Sequence, residues 1–389
     1  MNSGKTIFSQ LTSFLPKKDF DKCVKKYEGN KGVKTFKCWD QFLCMLFAQL
    51  TYRESLRDTV ICLRALGKKL YHMGIRGNVA RSTLADANDL RNWKIYKDFA
   101  HILIQEAQKL YSNEKIDLNL EQSIYAIDAS IISLCLSVFP WAKYTSKKSG
   151  VKLHTQIDLR GNIPIFIAIT EAKRSDVDML DMLSFESNAI YVMDRGYLDF
   201  ARLYTIKKAG AFFVLRAKRK MAYKRLYSNP VDKDSNIRSD QIIKLTDKDS
   251  RKKYPEKLRR VRYFDSKNKR YFVFLTNNFS LPAQKIADLY RNRWQIELFF
   301  KWIKQHLRIK AFFGTSENAV RTQIWIAISA YVLVLIVRKK LKIEKTSYTI
   351  LQILSIALNE KIPILQAFSD YKPSLVDDSN PNQLKLFNI

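Results

Sequence analysis

Three carboxylates stand where a side chain could meet a ligand. Asp128 closes the apolar run Ser123-Ile-Tyr-Ala-Ile, and Asp194 closes Ala189-Ile-Tyr-Val-Met, so each reads as an acid at the C-terminal end of a buried strand. That edge of an α/β sheet opens onto a ligand crevice. Glu297 falls inside a long helical segment with Tyr290, Arg293 and Lys304, at offsets of 3, 7 and 14 residues from Tyr290. At about 100° per residue these four lie within roughly 60° of one another, a polar stripe with Ile296, Phe299, Phe300, Ile303 and Leu307 as apolar packing around it. Two hard divalent ions about 3.5–4 Å apart, held by a few carboxylates, can clamp the attacking and leaving oxygens of a phosphodiester. Mg²⁺ suits such a site, and Arg293, Lys304 and the Tyr290 hydroxyl would hold neighbouring phosphates. Taken singly, each residue has a plainer reading: a strand-end Asp often caps the next helix, and a helix Glu among basic residues is usually a weak surface pair.

The composition points the same way. Among 389 residues, 68 Lys and Arg face 37 Asp and Glu, a formal charge of +31. Self-repulsion of that size implies a polyanionic partner, in the first instance nucleic acid. Hydrophobic residues make up 47% of the chain, enough for a folded core. Five cysteines without a C-x-x-C pair and four scattered histidines exclude a disulfide scaffold and a zinc ribbon, and fit a reducing cytoplasm. The opening MNSGKTIFSQ lacks a signal-peptide core, and the apolar run Ile324 to Val337 is short for a bilayer and reads as a buried helix, so no membrane is expected. No G-x-G-x-x-G loop is present to cradle a nucleotide.

Hydrophobic spacing divides the chain. Residues 1–120 read as a basic helical, DNA-binding domain, in which GNVARSTLADANDLR looks like a turn followed by a short helix capped by Ser82 or Thr83, with Asp86 three residues on. An ordinary surface helix fits that pattern equally well. Residues 121–216 run strand, hairpin, helix, strand, helix, strand, a mixed sheet flanked by helices. Residues 217–275, charge-dense with interleaved Tyr and Phe, read as an inserted β-rich module. Pro282 opens the long helix, running to about Arg308, within 276–320, and 321–389 is a helical region with a polar tail. Asp158 reads as part of a hairpin, Asp176, Asp178 and Asp181 as a helix start, and His154 as a structural hydrogen-bonder that at most supports the site from behind. Lys301 and Lys310 would widen a phosphate-binding surface.

The segment YRNRWQIELFFKWIK, Tyr290-x2-Arg293-x3-Glu297-x6-Lys304, resembles the YREK signature of the IS-four family of bacterial DDE transposases, supported by IDAS around Asp128, VMDRGY around Asp194 and KLHTQIDLRGN around His154. The resemblance covers about residues 80–340. It implies an RNase H-like α/β fold and a triad of Asp128, Asp194 and Glu297 binding two Mg²⁺ ions, with Mn²⁺ able to substitute, Asp128 bridging both ions. Tyr290, Arg293 and Lys304, with Arg195 and Tyr197 beside Asp194, would contact DNA. It further implies cut-and-paste transposition: hydrolysis at the inverted repeats ending the element, often through a hairpin, then joining of the 3′-hydroxyl to target DNA by a homodimer, in the bacterial cytoplasm at the nucleoid. Two departures stand out. The first motif reads Asp-Ala-Ser rather than Asp-Ser-Thr, and no Trp lies between Trp141 and Trp294 to stack on a flipped base, leaving Tyr254, Tyr263, Phe264, Tyr271 or Phe272 for that role. The rival readings are a metal-dependent nuclease without a joining step and an inactive transposase-derived DNA-binding repressor.

Overall fold

The computed structural model describes residues 4–369 apart from 115, 117, 119, 219, 233, 234 and 307–311; Leu307, Lys310 and the tail from residue 370 fall outside the described residues. Ten strands form one sheet: β1 (Ile124–Leu134), β2 (Lys143–Thr145), β3 (Lys148–Asp158), β4 (Ile163–Glu171), β5 (Ile190–Met193), β6 (Phe212–Arg216), β7 (Tyr223–Asn229), β8 (Ile237–Leu245), β9 (Leu258–Asp265) and β10 (Arg270–Thr276). Spatially β4, β3, β1, β5 and β6 lie in that order, with β1, β5 and β6 parallel to one another, as expected for an RNase H-like core. The parallel strands are the deepest. Ile124–Ile127 and all of β5 are buried on both faces, which is why they read as unbroken apolar runs.

Residues 217–275, read as an inserted β-rich module, supply β7 to β10; β10 pairs with β6, and β9, β8 and β7 follow outward, so these strands continue the central sheet. A buried ion pair fixes them. Arg259 makes a two-pronged contact with Asp240 at 2.8 Å on each arm and also donates to the carbonyls of Asn278 and Leu281, in the loop that opens the helix Ala283–Asn292. Both charged side chains are almost fully enclosed.

The two sheet faces are covered differently. Ile127, Met193, Leu215 and Leu275 pack with Tyr197 and the helix Phe200–Lys208. Ala126, Val192, Val214 and Phe274 face a larger core built from the N-terminal helices and Glu317–Lys340. That last helix passes a length and hydropathy test for a membrane span, yet 94% of its apolar stretch is buried here against Lys94–Tyr111 and Cys38–Leu50.

Three local expectations change. β1 does not end at Asp128 but runs six residues further, because Ala129–Leu134 pairs antiparallel with β3. The helix Arg81–Leu90 has Ala80 at its N-cap, so Ser82 and Thr83 already lie within its first turn and do not cap it. The long helix is not uniform: it turns at Arg293 between Ala283–Asn292 and Trp294–Lys301, then widens into a π-helical stretch at Trp302–His306. Such stretches often mark functional positions.

The β3–β4 hairpin matches its reading. Gly161 (φ +79°) and Asn162 (φ +57°) form the turn, where an added side-chain carbon on Gly161 would strike the Tyr111 ring at 2.3 Å. Asp158 is tied to Arg160, its Oδ1 accepting the Arg160 backbone N–H at 2.8 Å. Asp176 pairs with Lys152, while Asp178 and Asp181 pair with Arg202. His154 is fully buried, its Nε2 against the Thr170 hydroxyl at 2.9 Å, and burial pushes its pKa down to about 4.

Two predictions follow from these buried groups. Arg259→Met strands the Asp240 charge and is expected to destabilise the protein by about 3–5 kcal/mol in denaturant unfolding, with Asp240→Leu added to it recovering most of the loss. His154 titrates below its ordinary value, so on acidification the unfolded chain takes up the proton first. Stability should therefore be fully present above about pH 6.5 and decline towards pH 4, by up to about 3 kcal/mol; unfolding midpoints at stepped pH should show this fall in the wild type and a shallower one in His154→Gln.

Candidate active site

Register brings the two aspartates together. The last pair between β1 and β5 is Ile127 with Met193, so Asp128 and Asp194 are the next residues on strands about 4.8 Å apart. Asp194 leaves its strand at once and caps a turn, its Oδ1 accepting from Gly196 N at 3.3 Å. Asp128 remains in β1, with Oδ1 accepting from Ala129 N at 2.8 Å.

Glu297 arrives from the helix laid across that face. Burial of Ile296, Phe299 and Phe300 seats this helix, each side chain contributing about 1.5–3 kcal/mol. Arg293 then joins the elements: Nη1 donates to Asp128 Oδ2 at 3.0 Å and Nη2 donates to Glu297 Oε1. Two acids 169 residues apart thus reach one guanidinium. Burial raises the Asp128 pKa to about 6, opposed by the Arg293 charge and assisted by Asp194 and Glu297. Arg293 is held in its charged form by Tyr290, Asp128 and Glu297 against its own burial.

The donor set is of the kind a hard cation takes: Asp128 and Glu297 share one guanidinium, and Asp194 stands next to Asp128 in register. Among the described residues no three acidic, imidazole or thiol groups lie close enough to hold a metal ion as placed, and Arg293 lodges between two of the acids.

The remaining expected contacts divide. Lys304 reaches back to Ser130 Oγ at 2.6 Å and the Ile131 carbonyl at 2.7 Å, tying the helix to the strand that carries Asp128. Lys301 and Arg195 are exposed beside the trio. Tyr197 is 1% exposed on the opposite face of the sheet, so its expected DNA contact is corrected: the hydroxyl is enclosed. Tyr290 packs at a tilt against Phe274, ring centres 4.8 Å apart, and lies 6.2 Å from Phe272, with the Arg293 guanidinium 5.6 Å from its ring centre. Of the aromatics considered for base stacking, Tyr254 and Tyr263 are buried, while Tyr271 is half exposed and Phe264 and Phe272 are partly so.

Sequence reading missed Arg216 and Arg270. They flank the Phe272 ring at 4.9 and 4.7 Å and extend the Tyr290–Arg293 row along the face that carries Asp128. The register of Phe274 opposite Arg216 creates this row, and no local pattern around Arg216 announces it.

Comparison with known proteins identifies the family. Residues 119–333 match the family model described as Transposase DDE domain, and residues 3–76 match a domain of unknown function, DUF4372. The chain is similar to the putative transposase y4zB of Sinorhizobium fredii, 32% identical over 255 residues, covering 64% of this chain and 69% of that protein. It is also similar to a putative transposase for insertion sequence element IS4SA of Synechocystis, 26% identical over 364 residues, covering 92% and 96%. A piggyBac transposase solved in a synaptic complex with hairpin DNA overlays with TM-score 0.48 at 14% identity, covering 96% of this chain and 87% of that one, an overlap too loose to add weight. The chain belongs to the DDE-domain transposases of bacterial insertion sequences.

Proposed function

We propose that this DNA transposase cuts the ends of its element by metal-dependent phosphodiester hydrolysis and then joins the freed 3′-hydroxyl to target DNA. Asp128, Asp194 and Glu297 would hold the divalent ions, Mg²⁺ with Mn²⁺ able to substitute. Bound there, the metal supplies Lewis-acid activation of water and neutralises charge at the scissile phosphate. The observation that carries this reading is the meeting of Asp128 and Glu297 on one guanidinium, with Asp194 next in register.

The chain's own residues set the rest. Arg216, Arg270 and Phe272 form a basic, aromatic track leading to Tyr290 and Arg293, suited to phosphates and sugar faces of the strand being cut. Lys301 and Arg195 flank the acids at the surface. Lys304 acts as a positioning residue, holding the Glu297 helix on β1. Residues 1–120, including the helix Arg81–Leu90 with Arg81, Ser82 and Thr83 exposed at its start, would read the inverted repeat. Two copies acting together in the bacterial cytoplasm would bring both ends into one synaptic complex.

Glu297→Gln should bind an end duplex with near wild-type affinity and yield no Mg²⁺-dependent cut; persistent nicking by that variant overturns the assignment. Pre-cut ends offered with a target plasmid should give joined product, whereas hydrolysis alone would mark a nuclease. Because contacting about 6–10 phosphates per end releases the counterions condensed on them, affinity should fall roughly 10³–10⁵-fold between 50 and 200 mM salt. A flat response in gel-shift titrations would assign the +31 charge to another purpose.

A further inference from the structure

Arg293 is placed unlike a residue waiting at the surface for DNA. Its side chain is only 13% exposed, while that of Glu297 is 54% exposed. Two of its nitrogens serve Asp128 and Glu297, and its Nε is buried with no hydrogen-bond partner. A guanidinium with an unanswered N–H is held in place by the charges it meets, since water would satisfy all five donors. The acids in turn depend on it. Asp128 is largely enclosed, with Asp194 and Glu297 adding like charge, and a buried carboxylate without a cation is strongly disfavoured. A divalent ion and this guanidinium need the same oxygens.

Resting on the function proposed above, we propose that Arg293 is the resident counter-ion that closes the carboxylate site in the DNA-free protein, and that a phosphate of bound DNA draws it away, so that metal loading is coupled to DNA binding. The exchange leaves the acids compensated throughout, because the guanidinium's single positive charge departs only as the larger charge of a divalent ion arrives. A phosphate can compete for it, since guanidinium binds phosphate and carboxylate in the same two-pronged manner. The Tyr290 ring beside Arg293, followed by Phe272 and Arg216, gives the side chain an aromatic surface to slide over, on the same face of the sheet. This gate keeps the enzyme from assembling a hydrolytic centre away from its substrate. Because linkage is reciprocal, metal must tighten DNA binding by the factor that DNA tightens metal binding.

Calorimetric titration of Mn²⁺ into the full-length protein tests this, with and without a duplex carrying the inverted repeat that flanks the element. The wild type should bind Mn²⁺ about 5–150-fold more tightly with DNA present, the usual span of such coupling. DNA-free Arg293→Gln should already bind as tightly as the wild-type complex, with DNA adding little. Arg293→Lys, whose point charge reaches one carboxylate at a time, should fall between them, and it carries the comparison if the glutamine variant does not fold. Equal Mn²⁺ affinity of DNA-free wild type and the variants overturns the counter-ion role while leaving the metal site intact. Absence of Mn²⁺ uptake by every form, with and without DNA, removes the metal site itself and this proposal with it.

Discussion

Like charges gathered at one sheet edge repel, and burying one of them removes the water that would screen it. Asp128 meets both difficulties: it is enclosed by the helix above it, and Asp194 and Glu297 lie in its field. The fold tolerates this because one guanidinium bonds Asp128 and Glu297 at once. Arg293 therefore belongs to the same electrostatic unit as the acids. The rest of the architecture can be understood as what brings four residues from three distant segments to that point.

Two devices do so. Parallel pairing of β1 with β5 sets Asp128 beside Asp194, because the two apolar runs end at the same register position, Ile127 opposite Met193. The helix bearing Glu297 is fixed at both ends. Arg259 and Asp240 hold the loop where it begins, and Lys304 fastens its far part to β1 at Ser130 and Ile131. The turn at Arg293 and the π-helical stretch after Lys301 show that this helix follows the demands of the sheet rather than ideal repeat geometry. Both irregularities fall within one or two turns of Glu297.

Much of this was legible in the chain. Apolar runs closed by Asp128 and Asp194 announced two buried strands with acids at one edge, and the spacing of Tyr290, Arg293, Glu297 and Lys304 announced their shared stripe. What escaped depends on partners distant in sequence. Continuation of β1 beyond Asp128 requires β3, and membership of 217–275 in the central sheet requires the β6–β10 pairing. Tyr197 follows Asp194 so closely that sequence places it at the site, yet the intervening turn sends its ring into the opposite core. Arg216 stood in no motif, and only its position across from Phe274 sets it on the track toward Tyr290. Local pattern thus identified the acids, while tertiary pairing decided which neighbours face them.

The central claim is that Asp128, Asp194 and Glu297 converge on divalent cations when DNA is bound. It is tested most directly by a crystal structure of the wild-type protein with its end duplex and Mn²⁺, using the anomalous signal of manganese to locate the ions. The account predicts manganese peaks within bonding distance of oxygens from all three side chains, with the Arg293 guanidinium moved onto a DNA phosphate. Peaks elsewhere, or three carboxylates left apart around an unmoved guanidinium, would contradict it.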